Sequence, residues 1–239
     1  MSRNTLINHA MKTLCSLAIC IFLSLTVLAQ GISDQPAFQR KTYLAEVSLV
    51  GGLNYHSFFF ENPESEVDFD GKIGYRFGVN TIWRIQKVRI SVGLVVERKG
   101  RVFSLQTTYF DDQSNPMSGT KKSQLMMNYF VLPANFNFNI LKSDKLSGDV
   151  GFYVGYLQNA KSITDFSWQR REVTDVTTGY KRVDFGINVG VTFKLIQISD
   201  LYTIGIGPYT SIGLVPNAKT PADRNYCFGL LLSLTKSKI

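Results

Sequence analysis

Apolar and polar residues take turns along most of the chain between Ala45 and Thr235. From Lys72 to Arg84, the residues Ile73, Tyr75, Phe77, Val79 and Trp83 fall on one parity, while Lys72, Arg76, Asn80 and Arg84 fall on the other. Side chains of a strand point alternately to its two faces, so a period of two predicts a strand with one oily and one polar side. Val183, Phe185, Ile187, Val189, Val191, Phe193 and Leu195 likewise oppose Arg182, Asp184, Gly186, Asn188, Gly190, Thr192 and Lys194. Phe130, Leu132, Phe136, Phe138 and Ile140 oppose Asn135, Asn137 and Asn139. The pattern predicts eight strands, at about 44 to 57, 71 to 84, 88 to 103, 124 to 140, 147 to 160, 181 to 196, 201 to 214 and 224 to 235. Connections after the first, third, fifth and seventh are long and polar (58–70, 104–123, 161–180 and 215–223); the others are brief.

An even strand count with long and short connections in alternation predicts an all-β fold, an eight-stranded antiparallel up-and-down transmembrane β-barrel. Long loops then face outward from the cell, and tight turns and both chain ends face the periplasm. A soluble lipocalin-like barrel carries the same alternation turned inside out, so the outer face has to be identified separately. Gly52, Gly74, Gly78, Gly93, Gly151, Gly155, Gly186, Gly190, Gly205, Gly207 and Gly229 share the polar face, which suits the cramped interior of a small barrel. Large aromatics are therefore expected on the lipid side. Tyr75, Trp83, Tyr156, Tyr202 and Tyr226, on the apolar face near strand ends, are the expected aromatic girdle at the headgroup level.

The amino terminus reads as a secretory signal over residues 1–29: Arg3 and Lys12 precede an apolar stretch from Leu14 to Leu28, and Val27-Leu28-Ala29 supplies the cleavage context. Residues 30–43 form a short periplasmic lead, and 44–239 the barrel. Cys15 and Cys20 fall within the signal and lack the small preceding residue of a lipoprotein site, so the mature chain keeps Cys227 alone and forms no internal disulfide. After residue 29 no apolar run is long enough to cross a bilayer as a helix.

The formal charge is +8, and removing Arg3 and Lys12 with the signal leaves +6. No basic run with interleaved aromatics and no RNA-binding motif accompanies that excess, which excludes nucleic acid as the expected partner; anionic lipid headgroups explain it more simply. Glu46, Arg76, Arg89, Glu97, Lys99, Asp149, Asp184 and Lys194 form the expected interior charge network, either a solid ion-pair plug or the lining of a narrow conduit. His56, with Ser57 beside it and Glu61 nearby, is the single histidine after the signal, and adjacent strand residues point apart, so no catalytic pair is expected. A lone His, a lone Cys and scattered acids offer no zinc spacing, and the acidic positions Glu61, Glu64, Glu66, Asp68, Asp70 and Asp111-Asp112 lack a calcium-loop pattern. The glycines lie within strands with no helix following, which excludes a phosphate-cradling loop. No cofactor and no metal are expected. Phe58-Phe59-Phe60 opens the first outer loop and would meet lipid or a partner.

Lys72-Ile-Gly-Tyr-Arg-Phe-Gly78, Val95-Val-Glu-Arg-Lys-Gly100, Tyr129-Phe-Val-Leu-Pro133 and Tyr153-Val-Gly-Tyr-Leu-Gln-Asn-Ala-Lys161 resemble the second to fifth strands of the PorT-like outer-membrane β-barrel family. The chain departs from the usual barrel ending, since Leu234–Ile239 has no terminal aromatic. The residues themselves point to a noncatalytic, monomeric scaffold in the outer membrane, and the resemblance implies that the cell is Gram-negative. Its partners would be outer-membrane lipid and a protein met through the outer loops, with a type IX secretion or gliding apparatus as its implied setting. The competing readings are a small passive channel, a lipid-modifying enzyme and a soluble ligand-binding barrel.

Overall fold

The computed structural model describes residues 44–59, 69–85, 88–111, 113–141, 145–199, 201–216 and 224–236. The expected signal, the lead, the acidic loop positions Glu61, Glu64, Glu66 and Asp68, and Phe60 and Asp112 lie outside the described residues. Nine strands are present: β1 (Leu44–Phe59), β2 (Phe69–Ile85), β3 (Val88–Phe110), β4 (Pro116–Asn139), β5 (Leu146–Phe166), β6 (Glu172–Asp175), β7 (Val183–Ser199), β8 (Tyr202–Gly213) and β9 (Arg224–Lys236). Eight of them form a ring in which every neighbour is antiparallel: β1 joins β9, and β4 joins β5. The barrel is closed and has no free edge within its wall, as a spanning sheet requires.

The wall is oriented as the alternation predicts. Leu53, Ile73, Phe77, Phe136, Phe152 and Phe228 are all more than half exposed on its outside. Ser48, Asn54, Arg76, Ser91, Glu97, Lys99, Asp184 and Asn188 are buried within it. Such an inversion of the usual burial rule is stable where hydrocarbon is the solvent. On β4 the outward residues stay apolar from Ile140 to Phe130, about 33 Å along the strand, which at a usual barrel tilt spans the roughly 25 Å band of an outer membrane. The glycines on the polar face of the strands point inward, where several have no room for a side chain: one at Gly207 would run into the Val191 carbonyl.

Several expected connections are instead sheet. Residues 104–123, expected as a loop, continue β3 and β4 as a hairpin whose pairing runs from Val102↔Gln124 to Phe110↔Pro116. Val102, Phe103, Thr107, Thr108, Tyr109 and Phe110 favour extended backbone, and a polar face did not prevent pairing beyond the membrane. Its tip turns on Asp111, whose carboxylate accepts the backbone N–H groups of Gln113 and Asn115, with Ser114 in the left-handed region at φ 64°. Residues 161–180, also expected as a loop, carry β5 up to Phe166 and add the short β6 along its edge. A bulge at Gln158, where Asn128↔Asn159 gives way to Tyr129↔Leu157, separates the membrane part of β5 from this extension.

Candidate functional site: the barrel interior

The interior begins at the end bearing the short turns with a polar cavity of about 140 Å³, walled by residues such as Glu46, Arg89, Asn137, Asp149, Lys194 and Thr235. Arg89 pairs with Glu46 at 3.3 Å, and Arg84 approaches the same carboxylate at 3.9 Å. Asn135 donates to Asp149 at 3.2 Å, and the Asn188 amide bonds Asn135. Arg76 and Tyr209 bound the cavity on its inner side.

Beyond them the lumen is filled. Glu97 receives the Asn54 amide at 3.1 Å and the Tyr209 hydroxyl at 3.2 Å, with Arg76 at 3.7 Å, Lys99 at 3.9 Å and the Cys227 thiol at 3.8 Å. Lys99 reaches across to Asp184 at 2.8 Å, and Asp184 also receives the Tyr153 hydroxyl at 3.2 Å and the Asn225 amide at 2.9 Å. The Lys99 ammonium lies over the faces of Tyr129 and Tyr153, and the Arg76 guanidinium over Tyr209. The side chains of Glu97, Lys99 and Asp184 have at most 1% exposure, so they are packed on all sides at this level. Each charge has an opposite charge beside it, with neutral donors around the two carboxylates and aromatic faces against the two cations, the condition under which buried ions are tolerated.

Toward the other end, Leu125, Met127, Tyr129, Leu157 and Ala160 form an apolar cluster inside the ring, with Val176 and Tyr180 of the β5–β7 connection packed against it. Thr177 fastens that connection: its hydroxyl oxygen receives the Ala160 N–H at 2.9 Å while its proton goes to the Asp175 carboxylate. His56 is fully buried here on the inward face of β1, and Ser57, next along the strand, belongs to the opposite face.

The expected eight-residue network is therefore several pieces. Arg76, Glu97, Lys99 and Asp184 come together; Glu46 and Arg89 form a separate pair near the short turns; Asp149 and Lys194 line the cavity without an ion pair among the described residues. Strand register sets this division, because residues on one face but at different heights along the barrel do not meet. The expectation that large aromatics all face lipid fails for Tyr129, Tyr153 and Tyr209, which face inward and are nearly fully buried. Their hydroxyls and ring faces satisfy the buried charges, a role that residue size does not signal but the parity of their positions does. Tyr75, Trp83, Tyr156, Tyr202 and Tyr226 all sit on the outer face: Trp83 and Tyr202 near the short turns, Tyr75, Tyr156 and Tyr226 toward the opposite end. Among the described residues no group of three or more His, Cys, Asp or Glu could hold a metal ion.

The family model described as "Outer membrane protein beta-barrel domain" matches residues 29–213. No curated protein matches the chain. Among solved structures, Neisserial surface protein A aligns with a TM-score of 0.41 at 9% identity, over 80% of this chain and 96% of that one. Ail, the attachment invasion locus protein of Yersinia pestis, gives 0.41 at 10% identity, over 80% and 98%. The outer membrane protease OmpT from Escherichia coli gives 0.33 at 8% identity, over 85% and 99%.

Proposed function

The chain belongs to the outer membrane protein β-barrel domain family, and from that premise we propose that it is a noncatalytic, monomeric mount whose β3–β4 hairpin engages a protein partner outside the cell. It is a protein of the bacterial outer membrane. The hairpin carries the reading: its pairing continues for seven residue pairs above Phe103↔Ser123, whereas the last partner of β3 on β2 is Phe69. Among the described residues, Ser104–Phe110 therefore keeps an unpaired strand edge, a ready template for strand addition. The opposite edge is occupied, since Ser167 exchanges hydrogen bonds with Thr120 and Trp168 stacks on Tyr109 at 4.5 Å between ring centroids. One stiffened flank and one open edge suit a hairpin that binds.

The filled lumen favours a mount over a passive channel, and the full burial of both His56 and its cross-strand neighbour Cys227 favours it over a lipid-modifying enzyme, whose nucleophile has to meet its substrate. Export with removal of residues 1–29 belongs to the same reading, and amino-terminal sequencing of the membrane form should begin at Gln30. The resemblance of Lys72–Gly78, Val95–Gly100, Tyr129–Pro133 and Tyr153–Lys161 to the PorT-like family supports a secretion or gliding apparatus as the setting. The deciding experiment places a photo-crosslinking residue at Gln106 or Thr108 in intact cells. One discrete adduct, lost when β3 and β4 are shortened to Phe103 and Ser123, is expected; a crosslinking pattern unchanged by that shortening would reject the reading.

A further inference from the structure

On β3, β4 and β5 the outer wall changes from oil to polar at one level. Outward residues run apolar up to Val96, Phe130 and Tyr156, and the next outward positions are Arg98, Asn128 and Asn159. These three are linked side to side: Arg98 Nε donates to Asn128 Oδ1 at 3.0 Å, and Asn128 Nδ2 to Asn159 Oδ1 at 2.8 Å. The Arg98 guanidinium lies over the Tyr75 ring, 4.7 Å from its centroid. Just above, the Lys72 stem passes over bare Gly100 and its ammonium donates to Gln124 at 2.7 Å. Lys122 stands two residues from Gln124 on the same face of β4, and Arg98, Lys122 and Arg171 are the cations nearest in influence to Lys72.

Arg171 has a carboxylate, Asp165, at 3.4 Å. Among the described residues no carboxylate forms an ion pair with Lys72, Arg98 or Lys122: Asp165 stands opposite Lys122 across the β4–β5 pairing and is engaged by Arg171, and Lys72 and Arg98 are held in place by neutral amides. Four cations gathered around this one paired carboxylate leave an excess of positive charge, which is unfavourable unless a further anion arrives from outside the protein. Their height selects the source, because a group at the first polar row above the apolar band meets the headgroup layer of the leaflet around the barrel. Arg98 adds a planar donor fork suited to phosphate oxygens.

We propose that Lys72, Arg98 and Lys122, on the outer wall where the apolar band of β2–β4 ends, bind a phosphate group of an anionic lipid in the outer leaflet. The inference rests on the transmembrane orientation of the wall, and the test separates the two. Purified barrel is equilibrated in mixed micelles with diphosphoryl lipid A or with the same lipid dephosphorylated, and retained lipid is counted by native mass spectrometry. The wild-type chain should retain the phosphorylated lipid preferentially. The triple variant Lys72→Gln, Arg98→Gln, Lys122→Gln should lose that retention by about 100-fold, at roughly fivefold per surface cation, and should still resist unfolding in detergent as a closed barrel. Equal retention of both lipids, undiminished retention by the triple variant, or complete displacement by excess inorganic phosphate would each overturn the lipid site. Failure of the wild-type chain itself to partition into micelles would instead overturn the transmembrane reading.

Discussion

Lys99 is held by two carboxylates and two aromatic faces with none of its side chain exposed, so its partners suffer if it leaves. Lys99→Met strands Asp184 in a closed interior and leaves Glu97 to Arg76, and urea unfolding from lipid vesicles should show a loss of about 3–5 kcal/mol. Lys99→Met combined with Asp184→Leu should be less damaging than the sum of the single variants, because one uncompensated charge is removed with the other. Gly207→Val should impair folding more than Gly51→Val, since the first position abuts the Val191 carbonyl and the second has open space beside it. At this scale the sequence was partly legible. Parity alone put Arg76, Glu97, Lys99 and Asp184 inside, but the neutral groups that complete the cluster, Asn54, Asn225 and Cys227, have no charge to announce them. Their pairing depends on register between strands far apart in the chain, which composition does not encode.

Periodicity located the membrane part of every barrel strand, because only there does hydrocarbon enforce a strict apolar face. Above the membrane that constraint ends, so residues 104–123 and 161–166 looked like loops although β-branched and aromatic residues continue the sheet through them. The β6 segment is anchored differently: the Asp175 carboxylate accepts the Thr177 hydroxyl and the Thr177 N–H, which lowers its pKa below the ordinary 3.8. A depressed carboxyl contributes stability that is fully present above its unfolded value and is lost as pH falls through the folded one. Hydrogen exchange at Val176 and Ala160, whose amide groups depend on this turn, should therefore be slow at neutral pH and quicken at a pH below 3.8. Asp175→Ala should give the fast exchange at neutral pH as well. Exchange independent of pH in the wild-type chain, once its intrinsic pH dependence is removed, would contradict the anchoring role.

The whole molecule is a ring turned inside out, with oily residues outside, charge and glycine within, and a filled middle. Planar bilayers containing it should stay silent, and opening the plug by Lys99→Ala with Asp184→Ala should raise conductance only if the barrel survives the change. Single arginines on the outside should be costly in proportion to depth: Phe136→Arg, well inside the apolar run of β4, by about 2–4 kcal/mol, and an arginine replacing Asn128 by about 0–1 kcal/mol. The ring itself was legible from eight alternating segments and inward glycines, whereas the short β6, outside the ring, was not. The most direct test labels β4 residue by residue with a spin label from Asn128 to Phe138, in a Cys227→Ser background in lipid vesicles, and measures collision with oxygen and with a polar nickel chelate. Even-numbered positions should be oxygen-accessible and odd-numbered ones shielded, with period two throughout; the opposite parity, or no alternation, would contradict the account.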